Sequence, residues 1–131
     1  MKEFKPLDRE TERLAKEIVD AAFKVHKELG PGLLESVYEA CLIYELRKRW
    51  LKVDAQIELP VHYETVRLDI GFRLDLLVEN EIIVELKAVE VMNPLFAAQV
   101  LTYLKLTNKK LGLLINFNVP LIKDGIKRLI L

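Results

Sequence analysis

The chain has 131 residues, of which 51% are hydrophobic and 31% charged, and its 20 basic side chains balance its 20 acidic ones. This composition excludes a disordered chain, and no apolar run approaches the ~20 residues that a membrane span needs. A net charge of zero is unlike the strongly basic balance of a dedicated nucleic-acid binder. A chain of this length predicts one domain over residues 1–131. Because the N-terminus lacks the apolar region of a signal peptide, we expect that domain to be cytoplasmic and without membrane contact.

Two helices are predicted in the first fifty residues. The first is indicated by apolar residues at helical spacing, namely Leu14, Ile18, Val25 and Leu29. Asp8 or Thr11 is its expected N-cap, and Gly30-Pro31-Gly32 ends it. The second helix is predicted from about Leu33 to Trp50, with a buried stripe made of Leu34, Val37, Tyr38, Cys41, Leu42 and Leu46.

The remainder of the chain alternates predicted strands with one further helix. In chain order the expected strands are Val53 to Tyr63, Arg67 to Val78, Glu81 to Ala88 and Leu111 to Phe117. Pro60 confines the first strand to a sheet edge or breaks it, Glu79-Asn80 turns a hairpin, and Pro94 opens a helix through about Thr107. Ile126 to Leu131 fits either a last strand or a helical turn. This order predicts an α/β fold with a mixed sheet flanked by helices.

Three charged residues interrupt the most strand-like stretch of the chain: Asp75, Glu85 and Lys87. Alternate residues of a strand share a face, so Glu85 and Lys87 point the same way. On the preceding strand the even positions, Phe72, Leu74, Leu76 and Val78, are all apolar. If the apolar faces of both strands are buried together, Asp75 joins Glu85 and Lys87 on one patch of the sheet. A metal-dependent phosphodiesterase needs such an arrangement, although a sheet face in water gives the same alternation.

Two further groups of residues are candidates for the same site. Gln99 and Tyr103 lie four residues apart on the third helix and therefore on one face, unless Tyr103 belongs to the core. Glu35 opens the second helix, where the helix dipole alone would favour it, and Tyr38 follows one turn later. His26 precedes the Gly-Pro-Gly turn and is either a ligand or a packed side chain.

These motifs resemble, in order and spacing, those of the PD-(D/E)xK nuclease superfamily, especially its RecB-like branch. The residues that carry the resemblance are Gly71, Asp75, Glu85, Lys87, Gln99 and Tyr103. The segment from Val25 to Tyr38 is similar to the family named for its GxxExxY motif, here Gly32, Glu35 and Tyr38. Trp50 departs from this resemblance, because a glycine is expected after Arg47-Lys48-Arg49.

The resemblance implies a restriction-endonuclease-like fold and a phosphodiester hydrolase acting on DNA or, as a second choice, RNA. It implies that Asp75, Glu85 and the backbone carbonyl of Leu86 bind Mg²⁺ or Mn²⁺, with Glu35 completing the shell. Lys87 would position the attacking water, and Gln99 and Tyr103 would orient Lys87 or the phosphate. Tyr38 and His26 are predicted to be binding residues of the same site.

A catalytically silent binding protein on the same fold is the alternative hypothesis. It is favoured by the absence of a net basic charge, which also fits affinity supplied by a protein partner or a homodimer. It is disfavoured by the acidic pair and the lysine, which a binder does not require.

Overall fold

A computed structural model describes residues 7–131, apart from the side chain of Ile70; residues 1–6, where a signal peptide was considered, lie outside the described residues. The helices are α1 (Arg9–Leu29), α2 (Glu35–Lys48) and α3 (Pro94–Thr107). The strands are β1 (Val53–Tyr63), β2 (Val66–Val78), β3 (Ile82–Lys87), β4 (Leu111–Asn116) and β5 (Ile126–Ile130). A turn of 3-10 helix at Ile122–Gly125 precedes β5. The α/β class is therefore confirmed, and the last segment is a strand.

The five strands form one sheet in the order β1-β2-β3-β4-β5. Strands β3 and β4 are parallel and are connected through α3, whereas every other neighbouring pair is antiparallel. Strand β1 lies at an edge, and its pairing with β2 shifts register between Leu59 and Val61, on either side of Pro60. The predicted mixed sheet with a restriction-endonuclease-like arrangement is thus the observed fold.

The sheet is buried on both faces. Helices α1 and α2 cover the face that includes Leu76, Val84 and Leu86, and α3 covers the face that includes Ile83 and Leu114. Every residue of β4 is buried, as expected for a central strand under two layers. Gly112 allows the close approach of α3, because a Cβ there would lie 2.5 Å from Val100 Cγ1.

Local residue chemistry explains where the helices begin and end. Asp8 caps α1 by accepting a hydrogen bond from the backbone N–H of Thr11 at 2.8 Å. Helix α3 starts with Pro94 and is capped by Asn93, whose Oδ1 accepts from the backbone N–H of Leu95 at 2.9 Å. Of the two expected N-caps of α1, Asp8 is the one observed, and α3 opens at Pro94 as predicted.

Helix α2 is shorter than predicted at both ends. Leu34 has an extended backbone and is 73% exposed, so it precedes the helix. Val37 lies within the helix but is exposed, so neither residue belongs to the buried stripe. At the other end, Trp50 has φ +64°, the left-handed conformation that glycine adopts most easily. This explains why a glycine is expected at Trp50, whose side chain is 93% exposed.

None of the three helices in the described part of the chain combines the length and the apolar character that crossing a bilayer requires.

Candidate active site

The candidate site lies where β2 and β3 separate. The two strands pair from Val78 and Ile82 to Leu76 and Val84, and the pairing stops immediately before Asp75 and Glu85. Beyond this point the side chains replace the backbone ladder. Glu85 Oε1 accepts a hydrogen bond from the backbone N–H of Asp75 at 2.9 Å, and Asp75 Oδ2 accepts one from the backbone N–H of Leu86 at 2.9 Å. The split between β2 and β3 is therefore lined by two carboxylates, each bonded to the opposite strand.

The predicted apolar face of β2 is wrong in one respect. Leu76 packs in the core beneath α1 and α2, but Leu74 and Phe72 pack in the core beneath α3. Regular alternation of the side chains fails at Asp75. Opposite it, on β1, Gln56 has φ +51° and lies between Ala55, which pairs with Leu76, and Ile57, which pairs with Leu74. The strands change faces at this irregularity, which turns Asp75 toward the split.

Glu85 has the most perturbed acidity in the site. Its side chain is buried, with 4% of the residue exposed. Burial and, secondly, the negative charge of Asp75 raise the pKa of Glu85 to about 8. At neutral pH the buried carboxyl therefore holds a proton in the absence of a cation.

Leu86 offers a third oxygen to the same split. The N–H and C=O of one residue in a strand point to the same side, as the paired hydrogen bonds of antiparallel strands show. Since the N–H of Leu86 bonds to Asp75, its carbonyl also points toward β2. The next carbonyl, that of Lys87, accepts from the backbone N–H of Phe117 at 2.9 Å on the other side, in agreement with this alternation.

Lys87 is half-buried at the end of β3, and its Nζ lies 4.3 Å from the centre of the Phe96 ring. Phe96 belongs to the first turn of α3 and was not among the predicted site residues. A signal for it was present, because Phe96, Gln99 and Tyr103 are spaced by three and four residues and so share a helical face.

Tyr103 combines a packed ring with a polar end near the acids. It is 8% exposed, and its ring stacks on Phe72 with a centroid distance of 4.8 Å. Burial, followed by the charges of Glu85 and Asp75, raises the pKa of the Tyr103 hydroxyl, whereas the adjacent Gln99 amide opposes the rise. The charges of both carboxylates therefore reach the Tyr103 hydroxyl and the adjacent Gln99 amide, although the tyrosine ring is also part of the α3 core.

Glu35 approaches the site from the first turn of α2. It is half-buried, and its pKa is raised by burial and then by Asp75, whereas Lys87 lowers it. Among residues 7–131, however, no three His, Cys, Asp or Glu side chains are grouped closely enough to enclose a metal ion. The charges of the site thus affect the pKa of Glu35, although Glu35 does not form a compact cluster with Asp75 and Glu85.

Tyr38 and His26 are engaged elsewhere. The Tyr38 hydroxyl donates to the carbonyl of Gly30 at 2.6 Å and accepts from the backbone N–H of Leu33 at 3.0 Å. The imidazole Nε2 of His26 donates to the carbonyl of Val119 at 2.8 Å. Both side chains therefore hold backbone segments together, and the binding role expected for them stays a prediction.

A sequence comparison agrees with this geometry. The family profile described as the PD-(D/E)XK nuclease superfamily matches residues 12–129, which is nearly the whole chain. No curated protein and no solved structure gives a significant match. The matched segment contains the strand split, its two carboxylates, Lys87 and the polar face of α3. The chain therefore belongs to the PD-(D/E)XK nuclease superfamily.

Proposed function

We propose that this protein is a divalent-metal-dependent nuclease that hydrolyses phosphodiester bonds in DNA. The observation that carries the proposal is the pair of carboxylates across the strand split, where burial and Asp75 raise the pKa of Glu85 to about 8. Strongly raised pKa values of this kind cluster at functional sites, because a second acid buried beside the first destabilises the fold. RNA is a second substrate class for the same chemistry.

The donor set of the split suits Mg²⁺ or Mn²⁺, and nucleases of this superfamily generally use divalent ions of this type. Such ions prefer oxygen ligands and are often held by one or two carboxylates and several waters. Asp75, Glu85 and the carbonyl of Leu86 would hold the ion, with Glu35 near enough to contribute its charge. When bound, the ion supplies positive charge that polarises the scissile phosphate.

The other side chains have roles that follow from their positions. Lys87 places an ammonium on the face of Glu85, where it would orient the attacking water and offset charge on the phosphate. Tyr103 and Gln99 lie side by side near the acids and would orient a phosphate oxygen. Occupation by a cation would also favour the ionised form of Glu85, which the empty site disfavours.

We further propose that the chain lies in the RecB-like branch of the superfamily and in the family named for the GxxExxY motif. Gly32, Glu35 and Tyr38 supply that motif, and Gln99 with Tyr103 supplies the helical pair of the branch. The position of Glu35 beside the site supports a functional reason for its place in the motif.

Cleavage of labelled single-stranded and double-stranded DNA and RNA tests the proposal. The assay is run with Mg²⁺, with Mn²⁺ and with chelator, on the parent protein and on Asp75→Ala. We expect metal-dependent cleavage of DNA by the parent and none by the variant or in chelator. Salt-dependent binding without cleavage under either metal would instead support the silent binding protein, with affinity shared with a partner or a second copy.

A further inference from the structure

We propose that Phe96 is a positioning residue that holds the ammonium of Lys87 at the carboxylate pair through a cation–π contact. The inference rests on the proposed function, which gives Lys87 its catalytic role. The distance from Lys87 Nζ to the ring centre is 4.3 Å, well within the ~6 Å over which such contacts are significant.

An aromatic partner has a chemical advantage over an acidic one at this position. None of the ion pairs among the described residues includes Lys87. Asp75 Oδ2 and Glu85 Oε1 accept their hydrogen bonds from backbone N–H groups. A ring face attracts the ammonium electrostatically but accepts none of its directional hydrogen bonds as strongly as a carboxylate would. The three N–H donors of Lys87 thus stay available to a water or a phosphate oxygen.

Both partners of the contact are fixed by their own elements. Asn93 caps the first turn of α3, because its side-chain Oδ1 accepts from the backbone N–H of Leu95. Its backbone carbonyl accepts from the backbone N–H of Phe96 at 2.9 Å. The ring packs at the margin of the α3 core. Beyond Lys87, the chain is clamped at Val89 by the buried Asn116, which both accepts from its N–H and donates to its carbonyl. Helix α3 and strand β3 therefore hold the Phe96 ring and the backbone of Lys87 in a fixed relation, and the ring contact is what places the ammonium.

The test uses the full chain with three kinds of substitution at position 96. Phe96→Leu removes the ring and keeps an apolar side chain, and Phe96→Tyr keeps a ring. Mono-, di- and trifluorinated phenylalanine at position 96 change the ring electrostatics with nearly constant shape. Leu95→Ala, at the exposed neighbouring position, is the matched control. The two measurements are kcat and KM for DNA cleavage, and the NMR shifts of the Lys87 side chain in chelator, which do not depend on activity.

We expect Phe96→Leu to lower kcat about 10-fold with little change in KM, and to abolish the ring-current shift of the Lys87 methylene protons. Phe96→Tyr should stay within about threefold of the parent, and kcat should fall stepwise with added fluorine. Equal kcat across the fluorinated series, or unchanged Lys87 shifts in Phe96→Leu, would overturn the proposal. If Phe96→Leu does not fold, the fluorinated series decides alone.

The design also separates this proposal from the proposed function. A parent protein that cleaves no substrate under either metal contradicts the nuclease function. The NMR shifts then still decide whether the ring holds the ammonium, since fluorination that leaves Lys87 unaffected would exclude the contact in an inactive protein as well.

Discussion

The strand split and the Gly-Pro-Gly turn (Gly30–Gly32) both bring polar side chains into apolar surroundings. The two regions differ in how burial affects those side chains. At the turn, the Tyr38 hydroxyl and the His26 imidazole have backbone partners between 2.6 and 3.0 Å, and the Tyr38 ring stacks on Phe117. At the split, Asp75 and Glu85 each accept one backbone hydrogen bond from the opposite strand, and the buried Glu85 nevertheless has a pKa raised to about 8.

The two regions thus differ in what their polar side chains do. The Tyr38 hydroxyl both donates to and accepts from the backbone, so it stabilises the fold and has little capacity left for a ligand. At the split, burial and a second acid make ionisation of Glu85 unfavourable. A bound cation would reverse this effect, because it favours the ionised form.

The largest stability effect is expected at Glu85. In the unfolded chain Glu85 ionises near its ordinary pKa of 4.5, whereas in the folded chain it holds its proton until about pH 8. The folded state thus binds more protons between these values, and the free energy of unfolding falls as the pH rises through this window. We expect Glu85→Gln to be more stable than the parent by roughly 2–4 kcal/mol at pH 8.5, and similar at pH 4.5. Urea unfolding in chelator measures both.

Glu45→Gln is the matched control for this prediction. Glu45 is also buried, but its Oε1 lies 3.2 Å from Lys24 Nζ, so its charge has a partner. We expect this substitution to give no gain in stability at pH 8.5, because it removes a compensated charge. A pH-independent effect of Glu85→Gln would contradict the electrostatic account of the split.

At the turn, Tyr38→Phe is expected to destabilise the fold by about 1–3 kcal/mol. The substitution leaves the Gly30 carbonyl and the Leu33 N–H without their hydroxyl partner and keeps the ring that stacks on Phe117. Urea unfolding measures the loss, with Tyr44→Phe at an exposed position as the control. Unchanged stability together with lost nucleic-acid binding would show that Tyr38 is a binding residue instead.

The smallest effect is expected for Glu35→Gln. Burial and Asp75 raise the pKa of Glu35, so its removal should stabilise the folded protein slightly near pH 7, and less than Glu85→Gln does. Because Glu35 contributes charge to the site, affinity for Mn²⁺ should also fall, but less than in Asp75→Asn. Calorimetric titration with Mn²⁺ measures this, and unchanged affinity would place Glu35 outside the electrostatic reach of the ion.

Most of the fold was predictable because its signals are local. The segments Val53–Tyr63 and Pro94–Thr107 begin and end as expected, and Pro94 fixes the start of its helix through its own backbone. The pairing of β2 with β3 followed from a turn at Glu79-Asn80, where both residues have positive φ as a tight hairpin requires. These features need no knowledge of distant contacts.

The details of the candidate site were less accessible. The change of faces at Asp75 depends on the left-handed backbone of Gln56 in another strand, which no alternation pattern within β2 reveals. The contact of Lys87 with Phe96 joins a strand to a helix across a connection whose geometry is set by Asn93 and Asn116. Tertiary geometry of this kind places side chains that periodicity can only assign to a face.

The separate roles of Asp75 in metal binding and of Lys87 in catalysis are tested by comparing Asp75→Asn with Lys87→Met, by calorimetric titration with Mn²⁺ beside the cleavage assay. Asp75→Asn removes an anionic ligand and keeps its shape, so metal affinity and cleavage should fall together. Lys87→Met keeps the aliphatic stem and removes the ammonium, so Mn²⁺ should bind at least as tightly as in the parent. Its cleavage should nevertheless fall by at least about 100-fold, because the water and the phosphate lose their positioning cation. A Lys87→Met protein that cleaves DNA as fast as the parent would contradict the account.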